Sequence, residues 1–198
     1  MAVDRGPVLK KCRSLGISPA VLGLDKKLKE DKSGKFKKKT SEYGLQFREK
    51  QKAKFIYGML EKPFRNMFTK AERMKGQAGE NLMIMLERRL DSVVFRACMA
   101  RTRREARQVV GHKHVLVNGK IVNIPSYLVN IGDKIEIYDK AKETKRYKEI
   151  LEVTGGRIAP NWLDVDVQNM KATVKNFPTR AEIDVPVNEM LIVELYSK

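Results

Sequence analysis

The sequence predicts an α+β protein: a basic N-terminal extension, a helical domain, and an inserted module in which helices lead into a small, mostly antiparallel β-sheet. Three observations predict it. Apolar residues recur at helical spacing from Leu45 to Val110, and after Val115 they change to short runs punctuated by Asn118-Gly119. The final apolar stretch, Glu189 to Tyr196, needs a hydrophobic surface to cover, so it is expected to return to the helical domain. The expected division is therefore 1–44 as the extension, 45–87 completed by 186–198 as the helical domain, and 88–185 as the inserted module.

The extension contains Gly6-Pro7, Ser18-Pro19, Gly23 and lysine-rich runs from Lys26 to Lys39, with little helical or strand periodicity. Such a segment buries too little surface to fold firmly alone and is expected to order against nucleic acid. Leu45 to Leu60 reads as the first helix of the next domain. Pro63 suits a first helical position for the second, which places Phe64, Met67, Phe68 and Ala71 on one side and ends at Gly76. A third helix is expected from about Gly79 to Met99, with Leu82, Leu86, Leu90, Val93, Val94 and Ala97 as its buried stripe. Arg89 and Arg96, seven residues apart, are expected to project together from another face. Met59, Met67, Met74, Met83 and Met85 read as core filler.

Thr102 followed by Glu105 has capping-box spacing and predicts a helix start at Thr102. At about 100° per residue, Arg103, Arg104, Arg107 and Gln108 share one arc, opposite Ala106, Val109 and Val110. One face should pack while the other meets a polyanion. Val115 to Val117, Asn118-Gly119 and Lys120 to Val122 read as a hairpin, because both central positions of a type I′ turn require positive φ. Lys134 to Tyr138 alternates as a strand. Lys140 to Lys148 reads as a polar connector, Gly155-Gly156 as a turn, and Leu163 to Val167 and Ala172 to Val174 as short strands.

The formal net charge is +17, and residues 1–120 hold 30 basic against 12 acidic side chains, whereas residues 121–198 hold 11 against 12. The excess therefore marks a polyanion-binding region in the first three-fifths of the chain. No apolar run approaches the roughly 20 residues of a membrane span, and no signal-peptide core follows Met1, so a cytoplasmic protein without a membrane partner is expected. Cys12 and Cys98 are too few for a disulfide framework. With His112 and His114 they lack the paired Cys-x-x-Cys spacing of structural zinc, so no metal or other cofactor is expected. Cys98 reads as a small core residue on a helix, and the histidines as a solvated helix end.

The segment Leu86 to Arg96, the helix Thr102 to Gln108, His112-Lys113-His114, Val117-Asn118-Gly119 and Ile124-Pro125-Ser126-Tyr127 together resemble the αL RNA-binding module of the family of the fourth protein of the small ribosomal subunit. The similarity extends to Tyr43 to Lys52, Tyr57-Gly58, Phe64-Arg65-Asn66, Trp162 to Asp166 and Leu191 to Lys198, nearly the whole chain. Some members carry four N-terminal cysteines that hold zinc; here only Cys12 stands between Arg5 and Arg13, so this chain resembles the zinc-free variant. The resemblance implies a primary binder of 16S ribosomal RNA that clamps a multi-helix junction early in assembly and contacts neighbouring small-subunit proteins. It also implies an influence on decoding accuracy and a position near the mRNA entrance, while some members repress their own mRNA. The residues expected to carry rRNA binding are Arg89, Arg96, Arg103, Arg104, Arg107, Lys113, Asn118 and Lys120. Lys37, Lys38, Lys39 and Arg48 are expected near the message.

Two other functions compete. The same module is appended to pseudouridine synthases, whose catalytic aspartate lies in an Arg-Leu-Asp context, and Arg89-Leu90-Asp91 is present. That tripeptide falls within the binding module, where Asp91 reads as a surface carboxylate, and the sequence leaves no room for a catalytic domain and shows no phosphate loop or nucleophile elbow. Catalysis is therefore not expected. A free regulatory RNA-binding protein is the second alternative, separable from a ribosomal component by co-sedimentation with small subunits after a high-salt wash.

Overall fold

The computed structural model describes residues 6–28 and 41–197. Lys37, Lys38 and Lys39 lie outside the described residues. The chain divides into two compact units, Met1–Leu82 with Val185–Lys198, and Met83–Asp184.

In the first unit, α1 (Val8–Leu15) is followed by a short 3₁₀ turn at Pro19–Leu22, α2 (Glu42–Ile56) and α3 (Glu61–Glu72). The start of α4 (Ala78–Glu87) and α9 (Glu189–Tyr196) complete it. Helix α1 corrects the expectation of little periodic structure near the N-terminus: Cys12, Ile17 and Leu22 are buried. The helix ends at Gly16, whose φ of +68° lets the N–H groups of Gly16 and Ile17 turn back to Arg13 and Cys12. Ser41 caps α2 by accepting the Gly44 N–H at 3.2 Å, so the helix begins earlier than hydrophobic spacing alone indicates. Pro63 occupies the third position of α3, still within the first turn, where its missing N–H costs no helical bond.

The apolar C-terminal segment forms α9, which packs on α2. Gln46 donates to Glu194 at 3.1 Å, and the Tyr196 ring stacks on Phe68 with centroids 4.6 Å apart. Glu61 ties three helices together: it accepts from Lys50 at 2.8 Å, Lys54 at 2.6 Å and the Tyr196 hydroxyl at 3.2 Å. Helices α4 and α9 approach closely at Gly79, where a β-carbon would stand 2.9 Å from Glu189 Cγ and 3.1 Å from its Cβ.

The second unit contains the end of α4, α5 (Leu90–Arg96), α6 (Arg103–Gly111), β1 (Val115–Val117), β2 (Lys120–Ile121) and β3 (Lys134–Ile137). It continues through α7 (Asp139–Lys142), α8 (Lys145–Thr154), β4 (Leu163–Asp166) and β5 (Lys171–Val174). The strands form one antiparallel sheet in the order β2-β1-β3-β5-β4, with Val115 opposite Ile137 and Val117 opposite Ile135. Leu90, Val93, Val94, Ala106, Val109, Val110, Ile135, Ile137, Tyr147, Ile150 and Trp162 meet in its core. Each large aliphatic side chain fully buried there contributes roughly 1.5–3 kcal/mol.

Two expectations change in this unit. The single helix from Gly79 to Met99 is broken between α4 and α5, because the Leu90 and Asp91 N–H groups donate to the carbonyls of Tyr127 and Pro125 at 2.8 and 3.2 Å. Arg89 is extended there, and the Val129 N–H donates to Arg88 at 3.0 Å. The break has no glycine or proline to announce it; the partners come from a loop more than thirty residues away in sequence. The supposed polar connector is helical instead: from Lys145 it forms α8, which buries Tyr147, Ile150 and Thr154 at helical spacing. Cys98 is buried as expected but lies beyond α5, at a φ of +61°, and not on a helix.

Gly79→Val should destabilise the first unit by about 1–3 kcal/mol through overpacking, read as a lower denaturation midpoint. Gly111→Ala, where a β-carbon meets nothing, serves as the comparison. Burial acts to raise the Glu61 pKa, but the hydrogen bonds and charges of Lys50 and Lys54 prevail and hold it at about 2, against an ordinary 4.5. The ionised carboxylate therefore stabilises the fold above about pH 4.5, and this contribution should fade as pH falls towards about 2. Thermal melts of Glu61→Gln should show a weaker acid dependence over that window than the parent chain.

Candidate nucleic-acid interface

Helix α6 is the centre of the candidate interface. Thr102 caps it by accepting the Glu105 N–H at 3.1 Å. The reciprocal bond is displaced by one residue: the Glu105 carboxylate accepts the N–H of Arg101 at 2.8 Å, and its two oxygens also receive the Arg101 guanidinium. Burial alone would raise the Glu105 pKa, but these bonds, with the charge of Arg146, hold it below the usual carboxylate range. Ala106, Val109 and Val110 face the core.

The outer face is narrower than the sequence arc. Arg104 and Gln108 are exposed and Arg107 is half-buried, whereas Arg103 is only 7% exposed. Arg103 lies about 20° around the helix from Val110, near enough to the apolar arc to be drawn inwards. Its guanidinium donates to Ser92 Oγ at 2.8 Å and Glu87 at 3.3 Å, and lies 4.7 Å from the centroid of the Phe95 ring. Burial lowers the Arg107 pKa, with Asp91 acting to raise it and Arg89 to lower it further, so this cation senses the pair beneath it.

Arg89 and Arg96 do not project together from one face. Arg89 grips Asp91 with two hydrogen bonds of 3.0 and 2.7 Å, and the residues are 2% and 6% exposed, so Asp91 is not a surface carboxylate. The pair lies at the α4–α5 break, where Arg89 is extended and both side chains are buried. Arg96 makes a fork to Glu87 with two 3.0 Å bonds and reaches Asp184 at 2.6 Å. Although burial opposes its charge, these carboxylates raise its pKa. Glu87, itself 1% exposed, thus joins α4 to both α5 and α6. Hydrophobic periodicity does not single out Glu87, whose one sequence signal is that its acidic side chain directly follows Leu86 of the apolar stripe.

Beyond α6, Lys113 is exposed at φ +65°, and the β1–β2 hairpin turns through Asn118 at φ +51° and Gly119 at φ +77°, as a type I′ turn demands. The Asn118 amide is engaged within the unit: it donates to Asp133 at 2.8 Å and accepts the Lys134 N–H at 2.9 Å. Lys120 remains exposed. His112 is exposed, but His114 is half-buried with its Nδ1 3.0 Å from the Tyr147 hydroxyl. Burial chiefly lowers the His114 pKa and pushes that of Tyr147 up to about 12.

In the first unit, Arg48 is half-buried and donates to the Ser14 carbonyl at 3.0 Å, linking α2 to the end of α1. Among the described residues no cluster of three or more His, Cys, Asp or Glu could hold a metal ion, and no helix is long and apolar enough to cross a membrane. The chemistry of the α6 region is that of anion recognition: planar guanidiniums on a helix whose opposite face is locked into a core.

Residues 88–135 match the S4 domain, and residues 4–87 match the Ribosomal protein S4/S9 N-terminal domain. These define the class: a ribosomal-type protein carrying an S4 domain. Similar proteins bear the name small ribosomal subunit protein uS4. The one from Lachnospira eligens is 67% identical and that from Agathobacter rectalis 64% identical, each over 198 residues and 100% of both chains. The relative from Desulforamulus reducens is 48% identical, again across 100% of both chains. The chain belongs to the small ribosomal subunit protein uS4 family, a family of ribosomal structural proteins and not of enzymes.

Removing one partner of the Arg89–Asp91 pair strands a buried charge. Asp91→Ala should therefore cost about 3–5 kcal/mol, measured by denaturant unfolding. A loss below about 1 kcal/mol, the range of exposed ion pairs, would place this pair in contact with water.

Proposed function

We propose that the chain is a structural constituent of the small ribosomal subunit that binds 16S ribosomal RNA and clamps a folded junction during assembly. The observation that carries this reading is the division of labour among the arginines. Arg103 and Arg96 hold α6 and α5 to Glu87, while Arg104 and Arg107 remain on the outer side of α6. A helix so anchored presents guanidiniums at fixed spacing, which suits recognition of folded RNA by shape and phosphate position. Arg104, Arg107, Lys113 and Lys120 touch the RNA in this reading; Arg89, Arg96, Arg103 and Asn118 position them. The relatives' shared name supports the ribosomal assignment, and the cytoplasm follows as its location.

The finer functions rest on the family resemblance. Residues 1–44, including Lys37, Lys38 and Lys39, act with Arg48 near incoming mRNA. Residues 45–87 with 186–198 form the helical body, and 88–185 the RNA-binding module. Contacts with neighbouring small-subunit proteins influence decoding accuracy, and the same RNA face recognises the chain's own mRNA.

The test is binding to 16S rRNA over a salt series with excess transfer RNA as competitor. Neutralising Z phosphates gives a log–log slope of about −0.7Z to −0.9Z. Arg104→Ala should weaken binding and flatten the slope by about 0.7–0.9 with an unchanged melting temperature. Binding abolished by transfer RNA would reduce the interaction to nonspecific polyanion affinity.

A further inference from the structure

The charge excess of this chain ends near residue 120, and residues 121–198 are close to electroneutral. Yet one cation of that half stands against the outer face of α6. Arg146, in the first turn of α8, donates through Nη2 to Glu105 Oε1 at 3.3 Å and to Gln108 Oε1 at 3.5 Å. Both acceptors are on α6, and Gln108 is one of its exposed residues.

The angular order around α6 locates this guanidinium. Taking Arg103 as the origin, Arg107 lies at about 40°, Arg104 at about 100°, Gln108 at about 140° and Glu105 at about 200°. A side chain that contacts both Gln108 and Glu105 therefore borders the exposed arc on the side opposite Arg107. Lys145, next to Arg146, is exposed as well. Glu105 does not cancel this charge, because one carboxylate receives two guanidiniums, those of Arg101 and Arg146. Arg101 also senses Glu149 of α8. The Arg146 side chain retains 33% of its surface exposure, so its fork is held in place without being enclosed.

We propose that Arg146 extends the RNA face from α6 onto α8, so that a phosphate of the bound RNA is gripped between Arg104 and Arg146, with Glu105 as the positioning residue that sets the second guanidinium. This rests on the reading of α6 as the RNA-binding helix and adds a wall to that site. Arginine suits the position because its fork can keep one N–H on a protein acceptor while offering others to phosphate oxygens. The sequence conceals the site because residues 121–198 carry no net charge excess to mark it, and 38 residues separate Arg146 from Gln108.

The experiment measures 16S rRNA affinity of the full chain over a salt series for the parent, Arg146→Ala, Arg146→Lys, Arg104→Ala and Lys175→Ala. Lys175, paired with Asp164, removes the same charge outside this row. Arg146→Ala should flatten the log–log slope by about 0.7–0.9, Arg146→Lys should recover most of that slope, and Lys175→Ala should leave it unchanged. A flattened slope for Arg104→Ala with none for Arg146→Ala overturns this proposal while leaving the α6 reading intact; no change in either variant overturns both. Equal flattening by Lys175→Ala overturns the proposal in favour of a general charge effect. Labelling of the parent protein with an arginine-specific dicarbonyl decides the matter without a variant. RNA should slow modification of Arg146 several-fold, and an unaltered labelling rate overturns the contact.

Discussion

Glu87 is an almost wholly buried carboxylate that accepts a two-bond fork from Arg96 and a third bond from Arg103. Those residues belong to α4, α5 and α6, so one side chain constrains three helices. Burying an unpaired carboxylate would be prohibitive, and removal of either arginine would leave Glu87 less than satisfied. The arrangement is favourable only when all three helices are in place, which makes it a device for fixing geometry more than for adding stability. The orientation of α6, and hence the direction of Arg104 and Arg107, follows from it.

A second buried pair acts at the junction just upstream. Arg89 and Asp91 neutralise each other where α4 stops and α5 starts, and backbone groups there bond to residues 125–129. The loop between β2 and β3 is thereby fixed to the helical part of the unit. Its order is reinforced from the other side by Asn118 and Asp133, which tie the hairpin turn to the start of β3. Arg89, Asp91, Asn118 and Asp133 thus use their hydrogen-bonding groups inside the unit, holding the spacing of its loops and helices.

The cations consequently fall into two populations with different physical functions. Those enclosed by carboxylates, Arg89, Arg96 and Arg103, serve the fold, while Arg104, Lys113 and Lys120 face water. Arg107 lies between them, with its charge disfavoured by burial and felt by the Arg89–Asp91 pair. Composition counts all of these equally. The number of basic residues therefore overstates the cation surface available to a polyanion, and the location of their acidic partners determines what remains.

The sequence by itself determined the α+β class, the inward set Ala106, Val109 and Val110, the Thr102 cap, the Asn118-Gly119 turn and the family, because each depends on neighbours within a few residues or on motifs read directly. It also marked the final apolar stretch as one requiring cover. Only the tertiary structure decided where α4 ends, that residues 145–154 are helical, and which arginines face outwards. In each case the deciding partner is remote: Tyr127 and Pro125 for the break, the core around Tyr147 and Ile150 for α8, Glu87 for Arg96 and Arg103. A guanidinium at the margin of an amphipathic helix can serve water or a buried carboxylate with similar local geometry. Which it serves depends on whether another element brings that carboxylate within about 3 Å, and no local pattern carries that information.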